Sequence, residues 1–112
     1  MAILNRTLNG DFDAILRRIE TAILSGSISA TLEETWDAAE NGARCSMRVF
    51  ERYSYTGSNR VSLSVTLFQA TPNSPIRLCG AATGGSQATL FKINTLGEEA
   101  FLDKLRELLE TL

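Results

Sequence analysis

The sequence predicts an α+β fold, an antiparallel sheet of about five strands packed against two helices in the order β-α-β-β-β-β-α. Three observations carry this. Apolar residues recur at three- and four-residue steps in two segments, one near each end of the chain. Between those segments apolar and polar residues alternate with a period of two. The alternating runs are separated by Asn41-Gly42, Thr56-Gly57-Ser58-Asn59 and Thr71-Pro72-Asn73-Ser74-Pro75, which are turn sequences between antiparallel neighbours.

Ala2, Leu4 and Leu8 share a parity and predict an edge strand, which Asn9-Gly10 ends. Asp11 is placed to cap a helix whose apolar stripe is Phe12, Ile15, Leu16, Ile19 and Ile23, with Arg17, Arg18 and Glu20 away from it. Ser25-Gly26 supplies the stop, because glycine tolerates the left-handed conformation common just past helix ends. From Ser27 the period changes to two, with Ile28, Ala30, Leu32 and Trp36 on one face and Glu34 interrupting the apolar set. Asn41-Gly42 predicts a hairpin, and the Asp37-Ala38-Ala39-Glu40 approach predicts a loop longer than two residues.

The next run sets Cys45, Met47 and Val49 against Arg44, Ser46, Arg48 and Arg52, and Phe50 breaks the pattern, so a bulge or bend is expected there. Val61, Leu63, Val65 and Leu67 alternate with Ser62, Ser64 and Thr66 in the clearest strand of the chain. Beyond the two prolines, Ile76, Leu78, Gly80 and Ala82 again share a parity. Leu90-Phe91-Lys92-Ile93 reads either as a further short strand or as a continuation past a bulge. Thr95 and Glu98 have capping-box spacing, and Phe101, Leu102, Leu105, Leu108, Leu109 and Leu112 then form the apolar face of a terminal helix. The element order is like that of the TATA-binding-protein-type and helix-grip ligand-binding folds, an analogy of architecture alone.

With 112 residues, residues 1–112 are expected to form a single domain. The hydrophobic content of 44% is sufficient for a core, which argues against disorder. A formal net charge of −2 provides no overall field to gather phosphate backbones, so nucleic acid is not an expected partner, although Arg44, Arg48 and Arg52 make a local basic stripe. No run approaches a spanning helix or a leader peptide, so a cytoplasmic protein with no membrane partner is expected. The two cysteines, Cys45 and Cys79, read as reduced and mostly buried, a mutual disulfide being the lesser reading.

Histidine is absent, which removes Ser-His-Asp and Cys-His catalysis and every histidine-containing metal site from consideration. No catalytic residue, metal site or cofactor is assigned. Thr83-Gly84-Gly85-Ser86-Gln87 lacks the lysine and spacing of a nucleotide loop and reads as a turn or bulge. Glu33 and Glu34 are strand neighbours on opposite faces and make no local acid-base pair. Candidate contacts to a polar small molecule are Tyr53, Tyr55, Arg60 and Gln87, in a pocket expected between the sheet and the terminal helix. A hydroxyl-rich face with Ser27, Ser29, Thr31, Ser46, Arg48, Ser62, Ser64 and Thr66 is the alternative surface, with Phe50, Phe68 and Arg48 as candidate interface residues.

Gly10-Asp11-Phe12, Gly26-Ser27-Ile28-Ser29-Ala30, Glu51-Arg52-Tyr53-Ser54-Tyr55-Thr56-Gly57 and Gly84-Gly85-Ser86-Gln87 resemble DUF6054, a family of small bacterial proteins of unknown function. The resemblance spans most of the chain and implies a bacterial protein of one domain, with no activity, cofactor or catalytic residue to transfer. The expected function is therefore a non-enzymatic module binding a small ligand or a partner. The alternative is a homo-oligomer or interaction protein that uses its exposed sheet face. Catalysis by carboxylates, tyrosines, arginine or a perturbed cysteine stays open, with no reaction selected.

Overall fold

A computed structural model describes residues 1–53, 59–84 and 91–112, with side chains in the last segment from Glu98 onward. Seven elements follow in the expected order: β1 (Ala2–Leu8), α1 (Phe12–Ser25), β2 (Thr31–Glu40), β3 (Ala43–Tyr53), β4 (Arg60–Gln69), β5 (Ile76–Gly84) and α2 (Phe91–Leu109). All strand pairings are antiparallel, and the sheet order is β1-β5-β4-β3-β2. Four strands thus form a meander, and β1 joins it at the far side by pairing with β5.

Both helices lie on one face of the sheet. Asp11 caps α1 by accepting a hydrogen bond from the Ala14 backbone N–H at 2.8 Å, and the stripe Phe12, Ile15, Leu16, Ile19 and Ile23 is entirely buried. Val61, Leu63, Val65 and Leu67 of β4 meet that stripe and Phe101, Leu102 and Leu105 of α2 in one core cluster. Ala2 and Leu4 of β1 and Ile76, Leu78 and Ala82 of β5 complete it. At Gly80 the helix comes so close that an added Cβ would lie 2.7 Å from Leu105 Cδ2. Leu112 falls beyond α2 and is exposed.

Several local expectations are corrected. Ser27–Ala30 precede β2 and Ile28 is fully exposed, so the strand starts at Thr31. A bulge at Glu33 then shifts the register between Leu32 and Glu34, and Trp36 is carried to the face opposite Leu32. Glu34 goes with it into solvent, where its carboxylate accepts from the Thr35 N–H. The hairpin at Asn41-Gly42 is the minimal two-residue turn, with φ of 51° and 88°, and Asp37–Glu40 belong to the strand. Gly26 ends α1 in a right-handed conformation, φ −79°, rather than a left-handed one. Phe91 and Ile93 lie in α2, so the further strand is not formed, and Thr95 and Glu98 lie inside the helix, so they do not cap it. Glu98 instead accepts from the Gly84 backbone N–H at 2.6 Å and pairs with the Met1 ammonium at 2.9 Å.

The largest correction concerns β3. Its register is unbroken, with no bulge at Phe50, and its phase is the reverse of the expectation: Arg44, Ser46, Arg48, Phe50 and Arg52 face the helices. Phe50 shares their parity and is fully buried in the core, which settles the phase of the strand. The arginines are accommodated by partners. Arg44 makes two hydrogen bonds to the Asp13 carboxylate and lies over the Phe12 ring, 4.1 Å from its centroid. Arg48 pairs with Glu20 of α1 and Asp37 of β2, each at 3.0 Å, and Ser46 donates to the same Asp37 at 2.6 Å. Arg52 lies over the Phe101 ring. Hydrogen bonds from Ser46 and Arg48 hold the Asp37 carboxyl below its ordinary range, and Arg44 does the same for Asp13. For Arg48, burial opposes the charged form, but the hydrogen bonds to Asp37 and Glu20 outweigh it and raise the pKa. The basic stripe thus seats the helices on the sheet, Arg44 and Arg48 against α1 and Arg52 against α2.

Candidate functional site

Among the described residues, no helix lies on the other face of the sheet. Strand alternation and register place Ile3, Asn5 and Thr7 of β1, Arg77, Cys79, Ala81 and Thr83 of β5, and Ser62, Ser64, Thr66 and Phe68 of β4 there. Cys45, Met47, Val49 and Glu51 of β3 and Glu34, Trp36 and Ala38 of β2 continue it. Three large apolar side chains stand out on it, Ile3 at 56%, Trp36 at 53% and Phe68 at 43% exposure, with half-buried Met47 and Val49 between them. Tyr53, at one end of β3, is exposed on the same face. On the helix face, by contrast, Leu4, Phe50, Val61, Leu63, Val65, Leu67, Ile76 and Leu78 are buried, and Leu8 and Leu32 are partly so.

A shallow depression of about 550 Å³ crosses β1, β5 and β4 on this face, lined by Asn5, Thr7, Thr66, Phe68, Arg77 and Cys79, together with Arg6 and Leu78. Among the described residues Arg77 has no carboxylate partner within 4.0 Å. At the other end, Arg60 pairs with Glu51 at 2.5 Å and Glu33 at 3.7 Å and sits 5.9 Å from the Tyr53 ring centroid. Cys79 is exposed and Cys45 half-buried, both as free thiols. Since β4 separates their strands, the two are about two strand spacings, ~10 Å, apart, beyond disulfide reach. Among the described residues no group of three or more Cys, Asp or Glu side chains is arranged to hold a metal ion. Nor is any described helix long and apolar enough to cross a membrane.

The predicted site residues divide between the two faces. Tyr53 and Arg60 come together on the uncovered face, pointing away from α2, so they do not line a space between sheet and helix. Tyr55 and Gln87 lie outside the described residues. Of the predicted interface residues, Phe68 is exposed on the uncovered face, whereas Phe50 and Arg48 are buried on the helix face. Ser46 is likewise under α1, so the expected hydroxyl-rich face keeps Ser62, Ser64 and Thr66 and loses Ser46 and Arg48. The sequence pattern puts Trp36 and Met47 on the inner face, whereas the structure places both on the outer one, and it leaves Ile3 opposite Ala2 and Leu4 without marking it as a site residue. The available signals were the Glu33-Glu34 pair, a polar interruption suited to a bulge, and the shared parity of Arg48 with Phe50.

A family model matches residues 1–112. The chain belongs to DUF6054, a family of unknown function. Searches of curated proteins and of solved structures returned no match. DUF6054 membership agrees with the resemblance carried by the Gly10-Asp11-Phe12 and Glu51–Gly57 segments.

Proposed function

We propose that this DUF6054 chain is a non-enzymatic binding module that docks a partner on the uncovered face of its sheet. The observation that supports it is the distribution of Ile3, Phe68, Met47, Val49 and Trp36 over all strands of that face except β5, where small Cys79 and Ala81 stand. Scattered single apolar residues need no explanation, but Trp36, Met47, Val49, Cys45 and Phe68 neighbour one another across β2, β3 and β4, and such an apolar cluster among hydroxyls and charges is the composition of an interaction surface. Two thiols kept apart by β4 suit a reducing compartment, and we place the protein in the bacterial cytoplasm.

A second reading rests on the depression between β1 and β4. Arg77, Asn5 and Thr66 there offer a guanidinium, an amide and a hydroxyl to a small anionic molecule, with Tyr53 and Arg60 as further polar contacts along the face.

A photo-activatable residue placed at Thr66, in the middle of the face, tests the main reading against the same residue at exposed Glu107 on α2. Cross-linking in the native cell should give a defined protein adduct from position 66 and none from position 107. Equal or absent labelling at the two positions would refute a docking role for the sheet face.

A further inference from the structure

Resting on that reading, we propose that the occupant of the uncovered face is a second copy of this chain, packed sheet to sheet about a two-fold axis running along β4. Area is the first argument. Five strands at ~4.8 Å spacing and roughly 25–30 Å long give a face of about 600–700 Å² in projection. Relief from Trp36, Ile3 and Phe68 raises its accessible surface toward the ~800 Å² per partner of a stable interface.

Shape is the second argument. The register aligns Cys79, Thr66 and Met47 in one row and Ala81, Ser64 and Val49 in the next. Rotation about β4 exchanges β5 with β3, so Met47 comes opposite the second copy's Cys79 and Val49 opposite its Ala81. Long side chains thereby face short ones on both sides of the axis, as interdigitating layers require. Phe68, on the axis strand, meets its own counterpart as an aromatic pair.

Charge is the third. Arg77 is the basic residue on the β1–β5 side, while Glu34 and Glu40 stand on β2. The same rotation lays the basic half of one copy over the acidic half of the other, bringing Arg77 opposite Cys45 and diagonal to the second copy's Glu40. A rotation axis across the strands would instead leave each half over itself.

Native mass spectrometry and sedimentation of the full chain test this. The expected species is a dimer of twice 12.2 kDa. Phe68→Glu should weaken it by about 100-fold or more, and Arg77→Glu and Glu40→Arg by about tenfold each, while the double swap Arg77→Glu/Glu40→Arg recovers most of the loss. Phe68, Arg77 and Glu40 are all exposed, so retained cooperative unfolding separates lost association from lost folding. A monomer at hundreds of micromolar, or a dimer indifferent to Phe68→Glu and to the charge swap, would overturn the proposal. If the monomer nevertheless gives an adduct with a different chain from position 66, or carries a small molecule lost in Phe68→Glu, the face binds something else and only the self-association fails. With no adduct and no retained mass, both readings fall.

Discussion

At Gly80 the side chains of α2 press directly on the sheet backbone, and adding a side chain there measures how rigidly the helix is held. A Cβ at this position would lie 2.7 Å from Leu105 Cδ2 and 3.4 Å from Leu102 Cδ1, and both leucines are fully buried. Gly80→Val adds three carbons where no space is left, and overpacking of this kind costs about 1–3 kcal/mol. Valine's strand preference and the reduced freedom of the unfolded chain return up to ~1 kcal/mol, so the net loss is about 1–2 kcal/mol. That corresponds to roughly 4–8 °C in Tm for a chain of this size. Leu105→Ala alone removes a buried side chain and costs about 2–5 kcal/mol. The double variant should be more stable than the sum of the two changes by about 1 kcal/mol or more, because the valine occupies the space the leucine vacates. Urea denaturation of the four proteins supplies the cycle. Strict additivity, or a Gly80→Val protein as stable as the parent, would refute the close packing of α2 on β5.

Arg48→Met removes the cation shared by Glu20 and Asp37; since both carboxylates reach solvent, the loss should be about 1–2 kcal/mol rather than the ~3–5 kcal/mol of a sealed pair, read from the urea midpoint at neutral pH. Asp13 and Asp37 have folded pKa values below their unfolded ones, so the stability they contribute is complete above the ordinary carboxylate pKa of ~4 and is lost as pH falls through the lower folded value. Urea midpoints taken between neutral pH and strong acid should show this decline, and Asp37→Asn should flatten it; an unchanged slope would count against the network. Gly42→Val puts a branched side chain at φ 88° and should cost about 1–2 kcal/mol, seen as a lower Tm. Leu105→Asp should abolish cooperative unfolding, because it places a carboxylate against the fully buried Leu102 and Phe101 side of α2.

Elements with an unmixed pattern were legible in the sequence. In β4 the alternation of Val61, Leu63, Val65 and Leu67 with hydroxyl residues leaves one solution, and the stripe of α1 does the same for a helix. β3 was misread because polarity and burial part company there. Its helix-facing side carries three arginines, two of them with charge partners on α1 and β2 and the third, Arg52, over the Phe101 ring of α2, which make burial tolerable, while Met47 and Val49 look inward-facing and are not. A periodicity argument counts apolar residues and has no access to Glu20 and Asp13, which lie far away in sequence. The bulge at Glu33 misled in a second way: one extra residue reverses every side chain after it, and that reversal carried Trp36 onto the uncovered face. Phe68 was legible as a surface residue because its strand was read in the correct phase. Phe50 was lost with the phase of β3.

The pairing of β1 with β5 also determines when the chain can finish folding. Asn41-Gly42 closes β2 on β3 within two residues, and the meander can grow from that hairpin through short-range contacts. β1 cannot join until β5 exists, because Leu8 pairs with Ile76 and Ala2 with Ala82. On the ribosome β1 is therefore made before its partner and waits, unpaired, until the last strand of the sheet is complete. Its wait is kept harmless by brevity and by Asn5 and Arg6 at its middle, polar residues that make a short strand a poor template for a neighbouring nascent chain.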